Sequence, residues 1–115
     1  MFAIAFDMSI KLLKEHYGEP YNNAYYEIGG VLKEFDFYNA QGSLYLTSKN
    51  EIGNLFEAID ALTDVEWFVK SVRDVRAFRV EDWSDLTGYV RKKGDNKEKK
   101  NRKKKKEDRC LQSST

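Results

Sequence analysis

The side chains able to do chemistry fall in a few short blocks. Asp7 ends the apolar run Phe2-Ala3-Ile4-Ala5-Phe6. A carboxylate at a strand end, beside a helix start, can hold a hydrated Mg2+ or orient water for attack on phosphate. The same position suits an acid that merely complements the dipole of the following helix, and spacing alone does not separate the two. Asp74 lies between Arg73 and Arg76 in the run VRDVRAFRV, residues 72–80. Strict alternation puts Asp74 and Arg76 on one strand face with Val72, Phe78 and Val80, and Arg73 on the other with Val75 and Ala77. A charge in mid-strand is costly to bury without a partner. The cluster is therefore either a phosphate-facing arginine fork or an internal ion pair.

Further polar groups mark loops and helix starts. Ser43 follows Gln41-Gly42, where its hydroxyl can meet a ribose or phosphate, or satisfy a turn. No histidine base pairs with it, which argues against a serine hydrolase. Asn22 and Asn23 open a helix, where amides either cap the backbone or meet an anion or base edge. Lys11 and Lys14 lie near Asp7 and can stabilise phosphate charge. His16 sits at a helix C-terminus, where the dipole favours a cation; with one histidine in the chain, an acid–base pair of histidines is excluded. Trp67 and Trp83 read as core or interface. There is no Gly-rich phosphate loop and no HExxH. One His and one Cys make a Cys/His zinc site untenable.

Length and composition bound the class. A chain of 115 residues predicts one domain. No stretch is long and apolar enough to span a membrane, no secretion signal is visible, and the lone Cys110 fits a cytoplasmic protein. The net charge of +1 conceals an asymmetry: residues 1–90 carry −7 and residues 91–115 carry +8. The second segment has only Cys110 and Leu111 as apolar residues past Gly94. It cannot bury enough surface to offset its ordering entropy, so residues 91–115 are expected to be a disordered or frayed basic tail on a domain of residues 1–90. Its run Lys103-Lys104-Lys105-Lys106 suits salt-sensitive, sequence-independent contact with nucleic acid, or a solvated chain end.

The body reads as alternating elements. Phe2–Phe6 predicts a buried strand, and Ser9 caps a short helix closed by Gly18 and Pro20. Tyr21 to Phe35 carries apolar residues at spacings of three and four, an amphipathic helix interrupted by Gly29-Gly30. Phe37–Asn39 and Ser43–Thr47 flank the turn Ala40-Gln41-Gly42, a hairpin. In its second strand Leu44 and Leu46 are expected to face the helices, with Ser43, Tyr45 and Thr47 open or facing a partner. Ile52 to Leu62 is a helical stripe capped by Asn50, Val65–Val69 is ambiguous, Val72–Val80 is a strand, and Ser84 caps a short terminal helix. The order is βαββαβ with the first helix split at Pro20, an α+β ferredoxin-like plait with a four-stranded antiparallel sheet. Such a sheet has one face to cover, and a homodimer is the commonest covering.

Four blocks together resemble the virulence-associated protein D (VapD) family: residues 1–7, Tyr21–Tyr25, Gln41–Tyr45 and Ser71–Glu81. That family is similar to the small CRISPR-associated nucleases of ferredoxin-like fold. The resemblance implies a homodimeric endoribonuclease, often the toxin of a bacterial toxin–antitoxin pair and so a partner of an antitoxin protein. It implies catalytic roles for Asp7, Ser43, Asp74 and, more remotely, Lys14, with Asp7 a candidate Mg2+ ligand. Asn22, Asn23, Gln41, Arg73 and Arg76 are the candidate substrate contacts. The alternative is a non-catalytic RNA- or protein-binding dimer, since ferredoxin-like folds host many functions. The basic tail has no counterpart in the family pattern.

Overall fold

The computed structural model describes the backbone of residues 1–113 and the side chains through residue 104. The chain divides into two compact units, Met1–Glu81 and Asp82–Thr115.

In the first unit, β1 (Phe2–Met8) leads into α1 (Ile10–His16) and α2 (Asn22–Lys33). The hairpin β2 (Tyr38–Gln41) and β3 (Leu44–Thr47) follows, then α3 (Ile52–Thr63), α4 (Glu66–Ser71) and β4 (Val72–Arg79). The sheet order is β2-β3-β1-β4, with every pairing antiparallel. This is an α+β architecture consistent with a ferredoxin-like plait. Ser9 caps α1 as its pattern predicts, its Oγ accepting from Leu12 N at 3.2 Å. Gly18 stands at φ +103 after α1, a conformation open to glycine.

The main apolar cluster lies on one side of the sheet. Phe2, Ile4, Phe6 and Met8 of β1 pack with Leu13, Ala24, Ile28, Leu32, Leu55, Ala58, Leu62 and Phe68 from the four helices. Burying a Leu, Ile or Phe side chain stabilises by about 1.5–3 kcal/mol each, so this layer dominates the stability of the unit.

Tyr45 belongs to that layer, which corrects the expected facing of β3. Its register partner is Ile4, so pleating sends it to the helix side. Its ring stacks on Phe6 at 5.8 Å between centroids and 13° between planes. Gly29 of α2 lies beside its hydroxyl, where a Cβ would make van der Waals contact at 3.4 Å. Leu44 and Leu46 pair with Ala5 and Ala3 on the opposite side.

Three further boundaries differ from the sequence reading. Gln41 belongs to β2, so the turn is Gly42-Ser43, with Gly42 at φ +50; a register shift between Asn39 and Gln41 absorbs the extra residue. Glu51, not Asn50, precedes α3, without a side-chain cap; Asn50 Oδ1 instead accepts from the N-terminal ammonium. The ambiguous Val65–Val69 segment is helical, with Val65 as the cap position of α4.

In the second unit, α5 runs Thr87–Ser113, beginning where Asp85 accepts from Thr87 N at 2.9 Å. Every described side chain of this helix is exposed. The side chains of Lys105, Lys106, Cys110 and Leu111 lie outside the described residues. No described helix is long and apolar enough to cross a membrane.

Candidate active site

The register of β1 against β4 builds the site. Asp7 pairs with Asp74, and Ala5 with Arg76. By alternation Asp7, Asp74 and Arg76 all lie on the side of Ala3 and Ala5, away from the helices. All three are exposed. Arg76 Nε donates to Asp74 Oδ2 at 2.9 Å, so the guanidinium is tied to one carboxylate of the pair.

The register slips at this point. Asp7 pairs with Asp74 but Met8 pairs with Val72, leaving Arg73 as an extra residue without a partner. Such a bulge bends the strand and re-aims side chains. It also overturns the alternation expected for this strand: Val72 packs against the core instead of sharing the face of Asp74. The reason is physical. Period-two reasoning fails past an inserted residue, and the sequence carries no Gly or Pro here to announce one.

Beside the same sheet end, between α2 and the β2–β3 hairpin, lies a cavity of about 910 Å³. Asn22, Tyr25, Tyr26 and Lys33 of α2 line it, with Tyr38, Asn39, Gly42, Ser43 and Tyr45 of the hairpin. The carbonyl of Ser43 accepts from Phe6 N at 3.2 Å, which ties the hairpin turn to the residue before Asp7. Asn39 Nδ2 donates to Gly42 O at 2.7 Å and holds the turn. Burial first, then Tyr21, then the Asp7 carboxylate hold the Tyr25 phenol above its ordinary value, so the charge of Asp7 is felt within the cavity wall.

The remaining candidates are dispersed. Lys14 Nζ stands 5.4 Å over the Tyr21 ring and 3.9 Å from Glu19, on the exposed last turn of α1. Asn23 and Gln41 are exposed and do not line the cavity, whereas Asn22 does. Neither asparagine caps α2, which has Tyr21 at its cap position and no side-chain cap bond. Sequence reasoning passed over Tyr25, Tyr26, Tyr38 and Lys33. The density of tyrosines over residues 21–26 was a signal, but an amphipathic stripe claims such residues for the core.

Among the described residues no three His, Cys, Asp or Glu side chains group as metal ligands. The donors at this end of the sheet are two carboxylates, one of them engaged by Arg76. That set suits only a largely hydrated ion such as Mg2+, which needs one or two carboxylates.

Fold and site together define a small α+β protein with a carboxylate pair and an arginine at one end of a four-stranded antiparallel sheet. No protein-family model matches the chain. Curated proteins place it nonetheless. It is 55% identical over 89 residues to endoribonuclease VapD 1 of Riemerella anatipestifer, covering 77% of this chain and 100% of that protein. It is 55% identical over 91 residues to endoribonuclease VapD of Dichelobacter nodosus, covering 79% and 98%. With endoribonuclease VapD of Helicobacter pylori the identity is 47% over 93 residues, covering 79% and 99%. The chain belongs to the VapD family.

Proposed function

We propose that this chain is an endoribonuclease that cuts single-stranded RNA at the Asp7–Asp74–Arg76 end of its sheet. The observation that carries this is the 55% identity to a named endoribonuclease over that protein's whole length. The juxtaposed carboxylates and arginine supply the chemistry. The side of the sheet that carries Asp7, on which Phe78 is 45% accessible while Ala3 and Leu46 are buried, is the side a homodimer would cover, bringing two copies of Asp7 to one cleft. The cellular role is that of a toxin held by an antitoxin protein in the cytoplasm.

Two chemistries fit these residues. In one, a carboxylate takes the proton of the ribose 2′-hydroxyl, and Arg76 stabilises charge developing on the phosphate. Lys14 and Ser43 would then be supplementary donors. In the other, Asp7 and Asp74 hold a hydrated Mg2+, which when bound supplies an activated water. The first leaves a 2′,3′-cyclic phosphate and the second a 3′-hydroxyl. Labelled RNA incubated with purified protein, with and without EDTA, followed by end-group analysis, separates them. RNA binding without cleavage under any metal would refute the enzyme and leave a binding module.

A further inference from the structure

The cavity between α2 and the β2–β3 hairpin shares Asn22 and Ser43 with the candidate site, but the cleavage chemistry gives its tyrosines no role. Its volume of about 910 Å³ lies at the upper end of ordinary ligand sites, about 300–1,000 Å³. Two of its aromatic residues are spread out in solvent: Tyr26 is 80% and Tyr38 50% exposed. Exposed aromatic faces in a concave, largely apolar site with a few polar groups on its wall are what unstacked nucleobases bind, because every base offers a π-face. Lys33 adds a cation for a phosphate, and it makes no ion pair among the described residues. Asn22 and Ser43 add groups able to meet a base edge or a 2′-hydroxyl.

Location matters as much as composition. The cavity wall is hydrogen-bonded to β1 at Phe6, one residue before Asp7. Phe6 and Asp7 point to opposite sides of the sheet, so the cavity and the carboxylates flank one strand end. An RNA chain crossing that end meets both.

We infer that this cavity is a nucleotide subsite, in which Tyr26 and Tyr38 stack a base beside the cleavage point while Lys33 holds a phosphate of the same strand. The inference rests on the ribonuclease reading and deepens it, since the cavity then selects where the RNA is cut.

The test uses the full chain, short single-stranded RNAs that differ at one position, and the four nucleoside 5′-monophosphates as probes. Tyr26→Ala and Tyr38→Ala should each raise KM about tenfold, in the range of one lost base stack. Tyr26→Phe and Tyr38→Phe should keep the wild-type KM, because the ring face is retained. Since both tyrosines are exposed, the alanine variants leave the core intact. At least one monophosphate should shift the NMR signals of Tyr26, Tyr38 and Ser43. Unmoved signals with all four monophosphates would overturn the subsite whatever the enzyme does. So would unchanged KM in both alanine variants, or a change of oligomeric state in Tyr26→Ala at unaltered KM, which would assign the cavity to a second copy. A wild-type protein that cuts no RNA yet shows the shifts would remove the ribonuclease reading and leave the nucleotide site standing.

Discussion

Asp7 and Asp74 face each other across neighbouring antiparallel strands, and Arg76 is bonded to the second of them at 2.9 Å. Like charges directly opposite in a sheet are unfavourable. The arrangement persists because both groups are solvated and one is partly neutralised.

Replacing either carboxylate should therefore affect chemistry more than stability. Asp7→Ala and Asp74→Ala are expected to fold with unfolding free energies within about 0.5 kcal/mol of wild type, as for exposed sites. Cleavage should fall by roughly 10²–10⁴, the usual contribution of a general acid or base. Arg76→Ala should also slow cleavage, with the loss in kcat. Single-turnover cleavage beside a thermal melt reads both quantities; full activity in both aspartate variants would refute the site.

Gly30 lies exposed in α2, with nothing within 4 Å of where a Cβ would stand. Gly30→Ala should stabilise the protein by about 1 kcal/mol through helix propensity. Gly29→Ala should gain less, because its Cβ would touch the Tyr45 hydroxyl. Gly42→Ala, at φ +50, should lose stability. Denaturant midpoints of the three variants order these effects.

Ser71 is fully buried, and its hydroxyl has no hydrogen-bond partner among the described residues. Its backbone carbonyl, by contrast, accepts from Ser9 N at 2.9 Å and survives substitution. Ser71→Ala should be neutral or stabilising by about 1 kcal/mol, since it removes an unpaired polar group. A clear drop in the urea midpoint would contradict this.

Tyr25 links stability to alkaline pH. Its phenol is raised in the folded state by burial, then by Tyr21 and Asp7. An unfolded tyrosine ionises near pH 10. The contribution is thus fully present below about pH 10 and is lost as pH rises through the folded value. Tyr25→Phe should flatten the fall in stability above pH 10, and Asp7→Asn should move the Tyr25 titration, followed by NMR, back towards the ordinary value.

The basic segment should act on affinity alone. The curated relatives are matched over nearly their whole length by 77–79% of this chain, while residues 91–115 carry +8 on an acidic body. Ending the chain after Arg91 is expected to spare the cleavage step and to weaken RNA binding. If the segment makes four phosphate contacts, the slope of log K against log salt should shrink by about 3 on single strands. Loss of cleavage in a still-folded truncated protein would contradict this.

The sequence by itself determined most of the succession of elements and which side chains are candidates for chemistry. Ser9 before an apolar stripe, the Gly42 turn and the buried run of β1 each act through local backbone preferences, which neighbours in the chain suffice to express. Which strand face meets the helices was a different matter. Alternation in β3 sorts Tyr45 from Leu44 and Leu46 but carries no label for inside, and the opposite choice was made by pairing with Ile4. The bulge at Arg73 reversed the placing of Val72 for a similar reason, because register is set between strands and not along one. The juxtaposition of Asp7 with Asp74, and the tyrosine-lined cavity beside them, exist only once residues far apart in the chain are brought to one end of the sheet.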